Sequence, residues 1–232
     1  MKSHRTAACA VAVGLLCSIT SSVRAEPPGP VVFSEIMWMG SSASSSDEWV
    51  ELFNRSRDPV DLSGWVITRL GSDGETVEML RLDPVSLAAG DVFLVANYSD
   101  GNSRTVLGVT PGLVSSAVSL SNSKLQVRLY DAPPEEGGRL IDTADDGSGA
   151  PFAGDGTLKQ AMVRIDFEMD GTQGEAWVTA VEAAGWQPGA SELGTPGSIP
   201  ARLLPASPPP SPTAVPTMGW AEVKTSAGSA VN

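Results

Sequence analysis

The sequence predicts an all-β domain, an antiparallel sandwich or barrel, followed by a proline-rich extended tail. Three features carry that prediction. Short apolar runs rich in β-branched and aromatic residues recur along the chain, turn-forming clusters bound them, and almost no helical periodicity intervenes.

Taken in order, residues 1–25 read as a secretory leader. Lys2, His4 and Arg5 make a basic start, an apolar stretch runs from Ala7 to Ile19, and Val23 and Ala25 stand at the spacing of a cleavage site. The domain, expected at 26–198, opens with a candidate strand at 31–38 and continues with others at 49–53, 92–96, 125–130 and 162–167. Arg57-Asp58-Pro59, Ser72-Asp73-Gly74, Ala89-Gly90-Asp91, Ser99-Asp100-Gly101, Asp145-Asp146-Gly147 and Asp170-Gly171 supply the reversals. Only 177–185 suits a helical turn or two. A linker at 199–216 is expected to be extended, because the prolines from Pro200 to Pro216 block helix continuation. The last stretch, 217–232, contains Trp220 and is too short to fold alone.

Composition removes several function classes. The single His (His4) and both Cys (Cys9, Cys17) lie in the leader, so cleavage near Ala25 leaves neither. Cysteine proteases, Ser-His-Asp hydrolases, Cys/His zinc sites, haem and disulfide frameworks go with them. Loss of Lys2, Arg5 and Arg24 takes the formal charge from −12 to −15. Nucleic acid is therefore not an expected partner, since phosphate neutralisation needs clustered Lys and Arg. No segment after the leader has the ~18 continuous apolar residues of a membrane span. Leu16 precedes Cys17 where a lipoprotein signal has a small residue, which argues against a lipid anchor. A secreted, extracellular or periplasmic location follows as the expectation.

The strand carrying Trp49 sorts into two faces by its period of two, Val50 and Leu52 on one, Trp49, Glu51 and Phe53 on the other. The aliphatic face belongs in a core. The second face is either an exposed platform or covered by a loop.

Three segments in succession resemble the opening of the lamin tail domain of secreted bacterial proteins. They are Val32-Phe33-Ser34-Glu35-Ile36-Met37-Trp38-Met39-Gly40, Asp47-Glu48-Trp49-Val50-Glu51-Leu52-Phe53-Asn54 and Pro59-Val60-Asp61-Leu62-Ser63-Gly64-Trp65. Leu87-Ala88-Ala89-Gly90-Asp91, Leu120-Ser121-Asn122, Leu129-Tyr130-Asp131 and Ile141-Asp142-Thr143 follow in the order of that family, and Gly194-Thr195-Pro196-Gly197 closes a likeness over 31–198. The resemblance implies an immunoglobulin-like β-sandwich without catalytic residues, a binding or tethering module. Independently, Gly64 allows a bend before Trp65, and Trp65, Val66 and Ile67 bring bulk for a two-sheet core.

Candidate chemistry then narrows to acids and aromatics. Glu35, Asp47, Glu48 and Glu51 cluster in the motif, and paired carboxylates serve glycoside hydrolysis. Glu48 and Glu51, three positions apart, point to opposite faces of a strand, so solubility and strand-edge hydrogen bonding are the simpler reading. Asp166-x-Glu168-x-Asp170-Gly171 lacks the terminal Glu of a calcium loop, Trp177 standing in its place. A looser, weak Ca2+ site is conceivable from Asp142, Asp145, Asp146 and Asp155; no other cofactor is indicated. Trp49, Glu51 and Phe53 are the candidate binding residues. Asn54-Arg55-Ser56 and Asn97-Tyr98-Ser99 match the glycosylation pattern. The expected function is non-enzymatic binding of an extracellular protein or polysaccharide. The alternatives are a carboxylate- or metal-dependent extracellular hydrolase, or its accessory subunit, and a structural surface protein.

Overall fold

In the run Val127-Arg128-Leu129-Tyr130, the first and third residues are fully buried and the other two half-buried, the signature of a strand with one face in a core. The computed structural model describes residues 27–203; the expected leader, the linker beyond residue 203 and the terminal peptide lie outside the described residues. Twelve strands stand among the described residues. They are β1 (Val31–Met37), β2 (Trp49–Asn54), β3 (Val60–Asp61), β4 (Val66–Leu70), β5 (Thr76–Arg81), β6 (Ser86–Leu87), β7 (Val92–Ala96), β8 (Leu113–Val114), β9 (Val127–Tyr130), β10 (Leu140–Ala144), β11 (Met162–Arg164) and β12 (Trp177–Thr179).

One sheet runs β12-β11-β1-β2-β7-β8, a second runs β10-β9-β4-β5, and β3 pairs with β6. All pairings are antiparallel except β7 with β8. The two larger sheets are the layers of an immunoglobulin-like sandwich. Phe33, Ile36, Val50 and Leu52 of the first sheet and Ile67, Val127 and Leu129 of the second are fully buried, as the aliphatic alternation requires. Gly74 (φ 87°) makes the turn from β4 to β5, a conformation that costs residues with a Cβ.

A one-residue bulge in β1 decides which groups meet. Phe33 stands opposite Leu52, but Glu35, two residues on, stands opposite Glu51, which is only one residue back. In unbroken register Glu35 would fall opposite Val50, on the aliphatic face. The extra residue, Ser34, returns Ile36 to that face and puts Glu35 on the other side of the sheet beside Glu51.

Three expectations are corrected. Over 177–185, where a helical turn was expected, the chain forms strand β12 at Trp177–Thr179, with Val178 opposite Val163 of β11, and irregular chain beyond it; a 3-10 turn at Gly174–Ala176 precedes the strand. Pairing to a neighbouring strand outweighs the weak propensity of Ala and Glu in this stretch. The strand expected to reach Phe167 ends at Arg164, because the Asp166 carboxylate accepts from the Glu168 and Met169 amides and turns the chain. In the linker, the described part contains a 3-10 turn at Ala201–Leu203 where extended chain was expected; Pro200 precedes it, and no further proline occurs before Pro205.

Candidate functional site

On the side of the first sheet that carries Glu35, Trp49, Glu51 and Phe53, the first three are covered by the chain from 183 to 197. That strap closes on itself, Ala184 donating to the Gly194 carbonyl at 3.0 Å and the Trp186 indole N–H to the same oxygen at 3.0 Å. It is also tied down at both flanks: Gly108 donates to Gly185 O at 2.8 Å, and Ala161 to Leu193 O at 2.9 Å. Gly194 lies directly against Glu35, where a Cβ would come within 2.5 Å of Oε1.

Beneath the strap sit two neighbouring carboxyl groups. Both oxygens of Glu35 accept from the Thr195 amide, at 2.9 and 3.0 Å, and Oε2 also accepts from the Thr195 hydroxyl at 2.8 Å. Glu51 Oε2 accepts from the Gly197 amide at 2.6 Å, and its Oε1 lies 2.8 Å from Ser34 Oγ. Burial pushes Glu35 up to about 7, the Thr195 hydrogen bonds opposing it. Burial, and then the adjacent Glu35 charge, push Glu51 well above the ordinary carboxylate range.

The candidate binding stripe is therefore covered. Trp49 and Glu51 have no exposed surface and Phe53 has 2%. Trp49 packs on Trp186 of the strap with ring centroids 6.0 Å apart, and Phe53 on Phe167 at 4.8 Å. As an exposed platform the stripe is corrected: of the two alternatives, the cover is what forms, because large aromatic faces gain by leaving water.

The four residues of the calcium alternative do not converge, and among the described residues no group of three or more His, Cys, Asp or Glu is placed to hold a metal ion. Asp142 is buried in β10, where Oδ2 takes the Phe33 amide at 2.9 Å and the Arg164 guanidinium at 2.7 Å. Burial raises it to about 6 against the pull of Arg164. Asp145, in the left-handed region at φ 64°, accepts from the amides of Asp146, Gly147 and Phe152. Asp146 accepts from Ser148, and Asp155 from Thr157 and Leu158, each within its own turn.

The same use recurs at every buried acid. Asp47 accepts from the Val106 amide and Glu48 from that of Leu120, so one dipeptide fixes two distant loops. Burial lifts both, Glu48 to about 7. Glu192 accepts from Ser42 at 2.7 Å. Seven carboxylates are buried among the described residues, Glu35, Asp47, Glu48, Glu51, Asp142, Asp145 and Glu192, against one buried cation, Arg164. Each accepts at least one backbone N–H: Asp142 takes that of Phe33 at the β1 bulge, and the other six take amides that the long connections between short strands would otherwise leave unpaired.

The family model described as Lamin Tail Domain matches residues 24–148, more than half of the chain. The chain belongs to the lamin tail domain family. Among solved structures, a DUF4876 family protein from Bacteroides thetaiotaomicron is similar over 75% of this chain and 75% of its own, at 11% identity and a TM-score of 0.39. No curated protein matches the chain. The lamin tail match ends before β11 and β12, which extend the sheet beyond β1, and before the strap that covers Glu35 and Glu51.

Two open clefts of about 370 Å³ each mark the surface of this lamin tail domain. One runs along β10, between 27–30 and 170–172, with Arg139, half-exposed Leu140, Asp170 and Thr172 on its walls. The other lies between Arg69–Ser72 and Ser119–Lys124. Sequence reasoning did not single out either. Leu140 is the exposed first residue of β10, whose other four residues are buried, and nothing in the sequence sets it apart from them. Thr195 and Gly197 were missed as partners of Glu35 and Glu51, and the Gly-Thr-Pro-Gly tetrapeptide was their trace; Glu192, which holds the Ser42 amide, was missed as well. Asn54, in the first glycosylation triplet, is buried, and its amide donates to Asp58 O and Leu87 O. The Asn97 amide donates to Val118 O at 2.7 Å.

Proposed function

We propose that this lamin tail domain is a non-enzymatic binding module, exported after cleavage near Ala25, that engages a surface protein or polysaccharide through the cleft along β10. The observation that carries the reading is the commitment of the buried carboxylates to loop amides. An acid or base catalyst must meet its substrate's proton within hydrogen-bond reach. These carboxylates meet backbone instead, two of them beneath the strap. The β10 cleft offers what a recognition site needs: prolines and Leu140 for apolar contact, and Arg139, Asp170 and Thr172 for orientation.

The test is a glycan and surface-protein binding screen with the exported chain, repeated with Leu140→Asp and Arg139→Glu. Saturable binding that weakens at least tenfold in either variant, about 1.4 kcal/mol or more, is expected. Turnover of a screened glycan, or binding indifferent to both variants, would overturn the proposal.

A further inference from the structure

The Glu35–Glu51 pair has a proton count that geometry alone constrains. The two residues are directly opposite on β1 and β2, so their side chains share one face a few ångströms apart. Neither has more than 1% of its surface exposed. The groups turned towards them are Ser34 from β1, Leu94 opposite Glu51 on β7, Val163 opposite Glu35 on β11, and Gly194, Thr195 and Gly197 from the strap. None of these carries a positive charge. Arg164, next to Val163 on β11, points to the opposite face and is spent on Asp142. Glu192, the nearest charged residue of the strap in sequence, accepts from Ser42 and Ser191.

Ser34 offers a proton on Glu51 an acceptor. Its hydroxyl has two oxygens within reach, Glu51 Oε1 at 2.8 Å and the Glu51 backbone carbonyl at 3.2 Å. It owns one hydrogen. If that hydrogen goes to the carbonyl, the 2.8 Å contact is satisfied only by a hydrogen on Oε1. The amides of Thr195 and Gly197 can only donate, and the Thr195 hydroxyl has Glu35 Oε2 as its one hydrogen-bond partner, so turning it into an acceptor would leave its own hydrogen unpaired. Ser34, with the Glu51 carbonyl as a second acceptor, makes Glu51 Oε1 the position where a carboxylic acid proton is satisfied without displacing a strap contact.

We propose that Glu51 is carried as a neutral carboxylic acid, its Oε1–H donating to Ser34 Oγ and that hydroxyl to the Glu51 carbonyl, and that this proton latches the 194–197 segment over the sheet. Its loss leaves two anions side by side in a site without a cation. The strap then relaxes from Glu35 and Glu51, and Trp186, held to Gly194 O, lifts from Trp49. The result is an alkaline-sensitive cover over an aromatic face, a device that stands or falls separately from the β10 cleft.

The experiment follows the side-chain carboxyl carbons of the glutamates by 13C NMR in the exported chain from about pH 5 to about pH 9, alongside amide exchange of Thr195 and Gly197 corrected for intrinsic rates. Expected is a Glu51 signal at the carboxylic acid position at pH 7, titrating last, with strap protection falling at least tenfold in the same step. Glu51→Gln, whose neutral amide keeps a donor and an acceptor at the site and cannot ionise, is expected to abolish that step while keeping protection high. A Glu51 signal already at the carboxylate position at pH 5 would overturn the proposal in the unaltered protein, whatever the fate of the variant. So would a strap whose protection is unchanged through the Glu51 titration.

Discussion

Replacing Arg164 with Met removes the one buried cation among the described residues while leaving an unbranched apolar stem in its place. In the native protein the guanidinium donates to Asp142 Oδ2 at 2.7 Å, to Met169 O at 2.5 Å and to Asp166 O at 3.2 Å, and lies 5.4 Å from the centre of the Trp177 ring. The pair joins β11 of one sheet to β10 of the other, with side-chain exposures of 0% and 2%. Breaking a buried ion pair by deleting one partner costs about 3–5 kcal/mol. For a domain of this size each kcal/mol is worth roughly 2–4 °C, so Tm should fall by roughly 6–20 °C at pH 8. The loss should also depend on pH. Asp142 already stands at about 6 with Arg164 beside it, and without the cation it rises further. A folded-state value above the unfolded one means that the folded state holds the extra proton, so stability is greatest at low pH and falls as pH rises through that window. Thermal melts at pH 5 and pH 8 should show the smaller loss at pH 5. A loss under about 3 °C at pH 8, or an equal loss at both, would refute the reasoning.

Gly194→Ala should cost about 1–3 kcal/mol, because the new Cβ meets Glu35 Oε1 at 2.5 Å and Ala161 and Trp186 at 3.2 Å. Urea titration should show the loss, with exchange protection reduced in the strap and retained in β1 and β2. The native chain should itself be more stable near pH 5 than near pH 8, since Glu35 and Glu48 are both raised to about 7 by burial and the folded state binds their protons preferentially between about 4.5 and 7. Glu35 alone accounts for up to about 3 kcal/mol of that difference, and a urea midpoint that stays flat or rises over the interval would contradict it. Millimolar Ca2+ against EDTA should leave Tm unmoved, as Asp142, Asp145, Asp146 and Asp155 each serve a separate turn or ion pair; a reproducible rise would contradict that assignment.

The strands legible in the sequence are those whose apolar run is long enough to show a period. β1, β2, β7 and β9 belong to this group, and β7 is bounded as read, at Val92–Ala96. The two-residue strands β3, β6 and β8 have no period to read, and β12 takes its conformation from β11. The bulge at Ser34 was invisible for a related reason. Alternation alone sets Glu35 on the Phe33 face, and only the pairing with β2 shows that it is moved to the side of Glu51. Trp49, Glu51 and Phe53 were correctly grouped on one face, but their cover comes from residues more than a hundred positions later. The acids drew attention through their number. Their role follows from which amide each one meets, and that is a property of the long connections.

The central claim is that the buried acids of this lamin tail domain are acceptors that pin loops and a strap. It is tested most directly by hydrogen exchange at the amides they hold: Val106, Leu120, Thr195 and Gly197 in the intact chain at neutral pH. The account predicts protection of these loop amides comparable to that of β1 and β2, and its selective loss at Val106 in Asp47→Ala and at Leu120 in Glu48→Ala. Exchange at the rate of exposed turns, or loss spread evenly over the sheet in both variants, would contradict it.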